Sequence, residues 1–338
     1  LTWEKASTVS VGVDVTLFNQ RFDASFDYYQ RTTSDMLVKV SYPEVLGATA
    51  PPANDAELRT RGWELSLGWK DKIGKDINYS IGLILSDSQA EITKYRNDNN
   101  SLSTYYVGQK IGEIWGYETE GIFQTEEDLK NHPSQSKINS GKWEIGDIMY
   151  KNLDGNNEIS NGKNTLDDHG DLKIIGNTTP RYQYGINGSI SYKDVYLSFF
   201  FQGVGKRDFW PSAQNFWPAA TTYFNVQKWH VDESWSEDNR DAYFARPRAY
   251  VTKNQQKQTR FLQDASYCRM KNLTIGWNLP TSWIRNVFLS KATVYISGEN
   301  LFEFTNIKGP YDPEAARGNG SMLYPFQRTY SFGVNLTF

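Results

Sequence analysis

The stretch Gln327–Phe338, QRTYSFGVNLTF, decides the fold of this chain. Its larger side chains fall on one face: Arg328, Tyr330, Phe332, Val334, Leu336 and Phe338. The small or polar ones fall on the other: Gln327, Thr329, Ser331, Gly333, Asn335 and Thr337. Successive side chains of a β-strand point to opposite sides, so this period of two predicts a strand with one apolar face. Its length suits the about 9–11 residues of a tilted membrane strand, and it is typical of the closing strand of an outer-membrane β-barrel.

The overall composition is polar, as expected for strands that alternate. The chain is 38% hydrophobic with a mean hydropathy of −0.63, and no run reaches the ~18 apolar residues of a membrane helix. A barrel strand hides its apolar face in the alternation, so a low average fits a membrane barrel. The 15% of aromatic residues suits interfacial girdles or a sugar-binding surface. The net charge of −3 does not favour a nucleic-acid partner.

Nine segments carry this alternation and predict nine strands. Their apolar faces run, in chain order, through Val9–Leu17, Phe22–Tyr28, Trp63–Trp69, Ile77–Leu85, Tyr182–Tyr192, Val195–Phe201, Leu273–Leu279, Ala292–Ile296 and the terminal stretch. The connections between them are short and long in strict alternation. The long ones have about 30, 90, 60 and 25 residues. Transmembrane barrels sort their loops in this way, with short periplasmic turns and long extracellular loops.

The fold class we predict is therefore all-β, a transmembrane antiparallel β-barrel with its C-terminus in the periplasm. In soluble sandwiches and propellers, nothing requires the long loops to lie at one end of the fold and the short turns at the other. Nine strands cannot close such a barrel, because an open edge in lipid leaves backbone groups unsatisfied. The sequence starts at Leu1 with no methionine or signal peptide. We therefore expect residues 1–338 to be the C-terminal part of a longer precursor.

Five stretches carry a recognisable pattern: GDIMYKNLDGNNEISNG (Gly146–Gly162), KIIGNTTPRYQYGINGSISYKDVYLSFFFQGVGKRD (Lys173–Asp208), DASYCRMKNLTIGWNLP (Asp264–Pro280), VYISGENLFEFTNIKGPYDPE (Val294–Glu314) and YPFQRTYSFGVNLTF (Tyr324–Phe338). Together they resemble the SusC family (SusC/RagA) of TonB-dependent outer-membrane transporters from Bacteroidota. The third is similar to the family's SYLRLKNLTLGYNLP. Two departures are visible: Cys268 stands where an apolar Leu is usual, and the Asp/Asn-rich loop is longer than usual.

The resemblance implies a 22-stranded barrel of which this chain supplies about nine strands, with an N-terminal plug that lies outside these residues. It implies a SusD-like surface lipoprotein as a lid, and TonB–ExbB–ExbD as the energy source, acting through the absent N-terminal part. The implied function is import of oligosaccharides or, in some members, peptides, in the outer membrane and in contact with its lipid. The barrel itself is then no enzyme.

The Asp/Asn-rich loop is a candidate calcium site. Asn152, Asp154, Asn156 and Glu158 alternate as in the early part of a calcium loop, with Asp168 and its neighbour Asp167 further on. Oxygen donors at such spacing suit a hard cation, although the distant acid is wrongly placed for a twelve-residue loop. The alternative is a surface turn held by Asx hydrogen bonds.

The loop after the sixth strand is rich in aromatic residues, which are candidates for contact with substrate or partner. They are Trp210, Phe216, Trp217, Tyr223, Phe224, Trp229 and Trp235. Aromatic faces suit sugar surfaces and are enriched at binding hot spots. The alternatives are packing of a large loop on its neighbours and contact with the lipoprotein.

Nothing in the sequence favours catalysis. His132, His169 and His230 lie far apart, Cys268 is the only cysteine, and no nucleophile elbow or P-loop occurs. Two readings besides import stay open: a structural, receptor or secretion-associated outer-membrane barrel, and a secreted soluble sugar-binding β-protein. A plug upstream favours transport, and a chain that stays in solution without detergent favours the soluble protein.

Overall fold

One antiparallel sheet dominates the computed structural model, which describes residues 1–39, 51–219, 226–249, 252–285, 288–316, 318, 324 and 326–338. Nine strands follow one another in the order β1-β2-β3-β4-β9-β10-β13-β14-β16. They are β1 Lys5–Leu17, β2 Phe22–Val38, β3 Ala53–Ile73, β4 Ile77–Tyr95, β9 Arg181–Tyr192, β10 Val195–Lys206, β13 Tyr267–Asn278, β14 Lys291–Glu299 and β16 Thr329–Thr337. A further strand, β15 (Glu303–Thr305), pairs with β13 beside this path.

The nine alternating segments of the sequence are these nine strands, so the prediction of all-β, antiparallel architecture is confirmed. Some strands run well past the alternating segment. Strand β2 continues to Val38 and β3 begins at Ala53, so their connection spans residues 39–52 and not the about 30 residues expected. The apolar pattern stops where one face no longer needs an apolar environment, whereas backbone pairing between neighbouring strands continues.

The sorting of the connections is also present in the structure. Short turns join β1 to β2, β3 to β4, β9 to β10 and β13 to β14, and helix α3 (Thr281–Ile284) lies in the last of them. Because all pairings are antiparallel, these turns lie at one edge of the sheet. The long connections, residues 96–180, 207–266 and 300–328, therefore all leave from the opposite edge.

The long connections contain small sheets and helices of their own. Strand β5 (Glu113–Tyr117) pairs with β8 (Leu172–Asn177), β6 (Thr119–Ile122) with β7 (Ile148–Tyr150), and β11 (Asp208–Phe209) with β12 (Gln263–Asp264). Helices α1 (Glu126–Asn131) and α2 (Lys228–Asp232) complete this part. We call the described residues of 96–180, 207–266 and 306–316 the loop unit.

The hydrophobic core of the chain lies in the loop unit and not in the sheet. Its buried members are Ile114, Tyr117, Ile122, Ile148, Tyr150, Ile159, Phe209, Trp210, Phe216, Trp217, Trp235, Ala242, Phe244, Ala245, Phe261, Ala265, Tyr311 and Ala316. The strands of the sheet, by contrast, leave large apolar side chains exposed, with Val11 at 68% and Phe332 at 72%. A sheet face of this kind needs an apolar environment outside the chain.

A β-bulge in β13 shifts the alternation of its side chains between the two faces of the sheet. Strand β10 pairs Phe200 with Asn272 and then Phe201 with Met270, so Lys271 is the extra residue. Beyond the bulge, Arg269 lies opposite Gln202 and shares the polar face of the sheet. Bulges re-aim side chains in this manner.

Candidate functional site

The sheet has an apolar and a polar face, as its alternation predicts. The polar side chains bond across strands: Ser80 Oγ lies 2.8 Å from Ser189 Oγ, and Thr293 Oγ1 donates to Asn278 Oδ1 at 2.7 Å. In a membrane barrel, the apolar face meets lipid and the polar face lines the interior. The polar face is therefore the one that would line the interior of such a barrel.

Glycines on the polar face make room for tyrosine rings of the next strand. A Cβ atom at Gly276 would fall 2.2 Å from the Tyr196 ring, and one at Gly333 would fall 2.2 Å from the Tyr295 ring. No side chain can therefore replace these glycines unless the ring moves. Because each ring lies over a glycine, no large side chain stands out from the polar face at these positions.

The polar face of β4, β9, β10, β13, β14 and β16 is uncharged over its central positions, and we call it the neutral wall. These positions carry Asn78, Ser80, Gly82, Ile84, Ser86, Ser88, Gln183, Gly185, Asn187, Ser189, Ser191, Tyr196, Ser198, Phe200, Gln202, Asn272, Thr274, Gly276, Asn278, Thr293, Tyr295, Ser297, Ser331, Gly333, Asn335 and Thr337. The charged residues on this face lie near strand ends: Arg181, Lys206, Arg269, Lys291 and Glu299.

The polar face of β1, β2 and β3 is charged, and we call it the charged wall. Its charged residues are Asp14, Asp23, Asp27, Arg31, Glu64, Lys70 and Lys72. Asp27 lies directly opposite Glu64, and Asp14 is diagonal to Asp27. Asp23 pairs with Lys70 at 3.7 Å, but no cation of the described residues pairs with the other three carboxylates.

The aromatic candidates of the sequence lie inside the loop unit. Trp210, Phe216, Trp217 and Trp235 are buried, with Phe216 fully so, and Trp229 is half-buried. The Phe216 ring packs edge-to-face on Trp217 at 4.9 Å and on Phe244 at 5.4 Å between centroids. Tyr223 and Phe224 lie outside the described residues. The structure therefore places these rings in packing, and their contact with substrate or partner stays a prediction.

A buried polar network, which the sequence analysis missed, joins the two large loops. Lys253 Nζ pairs with Asp147 Oδ2 at 2.6 Å, and both side chains are almost fully buried. Asn254 Nδ2 donates to Asp147 Oδ1 at 2.9 Å, and Tyr150 Oη donates to the Lys253 carbonyl at 2.6 Å. Burial raises the pKa of Tyr150 well above its usual value, so this phenol remains a donor. No motif revealed the network, because Asp147 and Asn254 are 107 positions apart.

The Asp/Asn-rich loop is held by hydrogen bonds of its own side chains. Gly155 N donates to Asn152 Oδ1 at 2.8 Å, and Asn156 N donates to Asp154 Oδ1 at 3.0 Å. Glu158 N donates to Asn156 Oδ1 at 2.7 Å. These are Asx-type bonds, in which a short polar side chain supports the turn that follows it.

Asp171 closes this loop, although the sequence did not single it out. It is fully buried and accepts from Leu153 N at 2.6 Å and from Ser160 N at 2.8 Å. The predicted ligand Asp168 instead pairs with Lys163 at 3.6 Å. The structure thus brings Asn152, Asp154, Asn156 and Glu158 into one turn, and their binding of calcium stays a prediction.

A fully buried arginine anchors residues 306–316, which we call the strap. Arg269 Nη2 donates to Asp312 Oδ2 at 2.7 Å, Nη1 donates to Glu314 Oε2 at 2.8 Å, and Nε donates to Glu303 Oε2 at 2.9 Å. Burial by itself raises the pKa of Asp312, but hydrogen bonds from Arg269 and from Phe326 N outweigh burial, and the pKa lies below its usual value. The carboxylate is therefore charged at neutral pH.

The same segment of the strap is also buried against the other two connections of the loop unit. Tyr311 packs edge-to-face on Phe209 at 5.3 Å, and Ala316 is fully buried. Arg207, at the end of β10, donates to the carbonyls of Pro313 and Ala316. The strap consequently connects the sheet to the rest of the loop unit.

A polar cavity of about 480 Å³ lies where the sheet meets the loop unit. Its lining includes Gln89, Lys110, Glu113, Ile174, Ile175, Gly176, Asn177, Thr179, Arg181, Tyr182, Lys206 and Asp208. Burial raises the pKa of Asp208, which accepts from Asn177 N at 2.8 Å. A cavity lined by both signs of charge and by the amides of Gln89 and Asn177 suits a polar ligand. The sequence did not predict it, because its lining comes from six separate strands and the loops beside them.

No helix in the described ranges is both long and apolar enough to cross a membrane. No group of three His, Cys, Asp or Glu side chains in the same ranges is arranged to hold a metal ion. The three histidines contact separate backbone carbonyls, those of Pro133, Gly170 and Phe216.

Comparison with known proteins gives consistent matches. The family model for the TonB dependent receptor-like β-barrel matches residues 1–301. The chain is 30% identical to TonB-dependent receptor P3 of Formosa agariphila, and the match covers all of this chain and 34% of P3. It is 26% identical to TonB-dependent receptor SusC of Bacteroides thetaiotaomicron, and that match covers all of this chain and 32% of SusC. A solved structure of the RagAB peptide transporter matches all of this chain and 36% of its own, with 26% identity and a TM-score of 0.74. The chain thus spans about a third of the relatives it matches.

Proposed function

Because the chain belongs to the TonB dependent receptor-like β-barrel family, we propose that it forms part of the wall and the extracellular loops of an outer-membrane importer. The importer takes up oligosaccharides or peptides, and TonB supplies the energy. Members of the family are transporters and receptors rather than enzymes. The likeness to the RagAB peptide transporter supports peptides, and oligosaccharides follow from the resemblance of the sequence motifs to the SusC family.

The single observation that carries this proposal is the combination of nine consecutively paired antiparallel strands with long connections at one edge only. The exposed apolar face of that sheet suits lipid, and the polar face suits a hydrated interior. The remaining strands, a plug and the contact with TonB–ExbB–ExbD belong to the rest of the protein in this proposal.

A SusD-like lipoprotein is the partner we propose for the loop unit. Loops of this size order themselves at a large cost in conformational entropy, and here a core of buried aromatic residues offsets that cost. A loop unit with its own core offers a preformed platform, and preformed surfaces bind with a smaller ordering cost. This supports a docked lid at the edge of the barrel that carries the long loops.

Uptake by whole cells tests the proposal. Panels of fluorescent oligosaccharides and oligopeptides would be offered to cells with the gene, without the gene, and with the gene but without TonB. We expect at least one probe to enter only when both the gene and TonB are present. Probe that binds the cell surface through this protein but never enters would favour the receptor reading. If no probe bound or entered in a gene-dependent way, both import and the receptor reading would be contradicted.

A further inference from the structure

The uneven charge of the polar face suggests which side of the barrel is used for transport, an inference that rests on the proposed function. Six neighbouring strands present the neutral wall and three present the charged wall. The boundary lies between β3 and β4, where Glu64 stands directly opposite Ser86. The two walls would contact the plug in different ways.

The carboxylates of the charged wall would be stabilised by a partner with positive charge. Asp27 and Glu64 are direct cross-strand neighbours, and like charges in that position are destabilising. Asp14 adds a third carboxylate on the diagonal. Inside a closed barrel, the low-dielectric walls strengthen this repulsion relative to open water. Basic side chains on a domain that fills the barrel would relieve it, and separating such ion pairs again would leave unpaired charges behind at considerable cost.

The neutral wall does not need a charged partner. Its hydroxyl and amide groups pair with one another across strands, as Ser80 does with Ser189 and Asn78 does with Ser191. The Tyr196 and Tyr295 rings are seated over glycines of the next strand. A domain in contact with this wall can move away without leaving unpaired charges, because water replaces neutral hydrogen bonds at small net cost.

We propose that the neutral wall lines the translocation path, while the charged wall keeps the plug docked during transport. Substrate then passes along β4, β9, β10, β13, β14 and β16. The hydroxyl and amide groups of that wall exchange hydrogen bonds with sugar hydroxyls or peptide amides. No ionic contact holds the substrate in transit.

Cysteine labelling in the complete transporter tests the proposal. The background is Cys268→Ser, and the matched pair is Ser198→Cys on the neutral wall and Ser25→Cys on the charged wall. Each serine is the fourth residue of its strand from the edge with short turns. The probe is a membrane-impermeant maleimide dye, added from outside to outer-membrane vesicles that lack TonB. We expect the Ser198→Cys variant to react several-fold faster, because the plug shields the charged wall more tightly.

Two further arms make the result decisive. Adding Asp27→Asn and Glu64→Gln to the Ser25→Cys variant should raise its labelling rate several-fold, whereas the same pair should not change labelling of the Ser198→Cys variant. In cells, TonB should speed labelling at the neutral wall alone. Heat-modifiability on gels confirms that each variant is folded.

The outcomes separate this inference from the proposed function. Equal or reversed rates in vesicles would overturn the assignment of the path, whatever TonB does in cells. A rate difference in vesicles with no TonB effect at any site would contradict import but leave the asymmetry of the two walls intact. Unchanged labelling of the Ser25→Cys variant after both charge removals would show that the carboxylates do not hold the plug.

Discussion

Leu197 and Ser198 are neighbours in β10, but their side chains lie on opposite faces of the sheet. Leu197 lies between Ile190 and Ile275, and Ser198 lies between Ser189 and Thr274. If the apolar face meets lipid, Leu197→Arg places a charge in hydrocarbon and should cost about 2–4 kcal/mol of folding free energy. Ser198→Asp, the matched control, should cost much less. Urea titration of the barrel refolded into lipid vesicles measures both, and a larger loss for Ser198→Asp would show that the two faces are wrongly assigned.

Arg269 is the residue on which the strap depends most. Arg269→Met removes the guanidinium that contacts Glu303, Asp312 and Glu314 and leaves the buried Asp312 carboxylate without an ion-pair partner among the described side chains. Breaking a buried ion pair from one side costs about 3–5 kcal/mol. We expect limited proteolysis to cut within residues 306–316 much faster in this variant than in Arg269→Lys, which keeps the charge. Equal protection of both variants would show that Tyr311 and its neighbours hold the strap without the arginine.

The same contact predicts how the strap responds to acid. The folded pKa of Asp312 is below the ordinary value of 3.8, so its ionisation stabilises the folded state. That contribution is complete above the unfolded pKa and is lost as pH falls below 3.8 through the folded value. Proteolysis of the strap should therefore be unchanged from pH 7 to pH 5 and accelerate below pH 3.8. Asp312→Asn should remove this acceleration.

Among the elements, β16 is the edge strand whose loss should matter most. It pairs with β14 along Thr329–Thr337, and its other edge has no partner among the described strands. In a closed barrel, that edge must pair with another strand, since unpaired backbone groups are not tolerated in lipid. Removal of Tyr330–Phe338 should abolish assembly, measured as loss of the heat-modifiable folded form. Normal amounts of folded barrel from the truncated protein would contradict this.

The loop unit depends on its aromatic core in a comparable way. Phe216→Ala would empty a fully buried site and should destabilise the loop unit by about 3–5 kcal/mol. Val231→Ala, at a position 67% exposed in the same connection, is the matched control and should have little effect. Hydrogen exchange of residues 207–266 distinguishes the two variants. Similar exchange in both would mean that the loop core contributes little to order in these loops.

At the scale of the whole molecule, the loop unit connects the barrel wall to the partner that we propose. Deleting residues 210–235 should leave a membrane-inserted barrel, because the flanking strands do not need the loop core to pair. The deletion variant should no longer co-purify with its lipoprotein lid, and uptake should fall, because an open cavity cannot retain substrate. A variant that kept both the lipoprotein and its transport rate would show that this connection serves neither purpose.

The sequence alone predicted the strands and the edge of the sheet from which the long loops leave. A strand between lipid and water, or between any apolar and polar phase, must alternate at every second residue, and that requirement is local. Each of the nine strands therefore shows in a short window of sequence, from Val9–Leu17 to the terminal stretch, and the spacing between these windows gives the order of short and long connections. The family pattern added the expectation of a larger barrel, which the matches to about a third of each relative support.

Only the tertiary structure decided what the loops do. The burial of Phe216 against Phe244 and Phe261, the pairing of Asp147 with Lys253 and the closure of the Asp/Asn-rich loop by Asp171 all join residues distant in sequence. The bulge at Lys271 places Arg269 on the polar face, although the alternation of residues 272–278 would place it on the apolar face. Such contacts depend on which segments meet in space, and no period of the local sequence encodes that meeting. Side-chain alternation reflects the surroundings of one strand, whereas a loop core reflects the path of the whole chain.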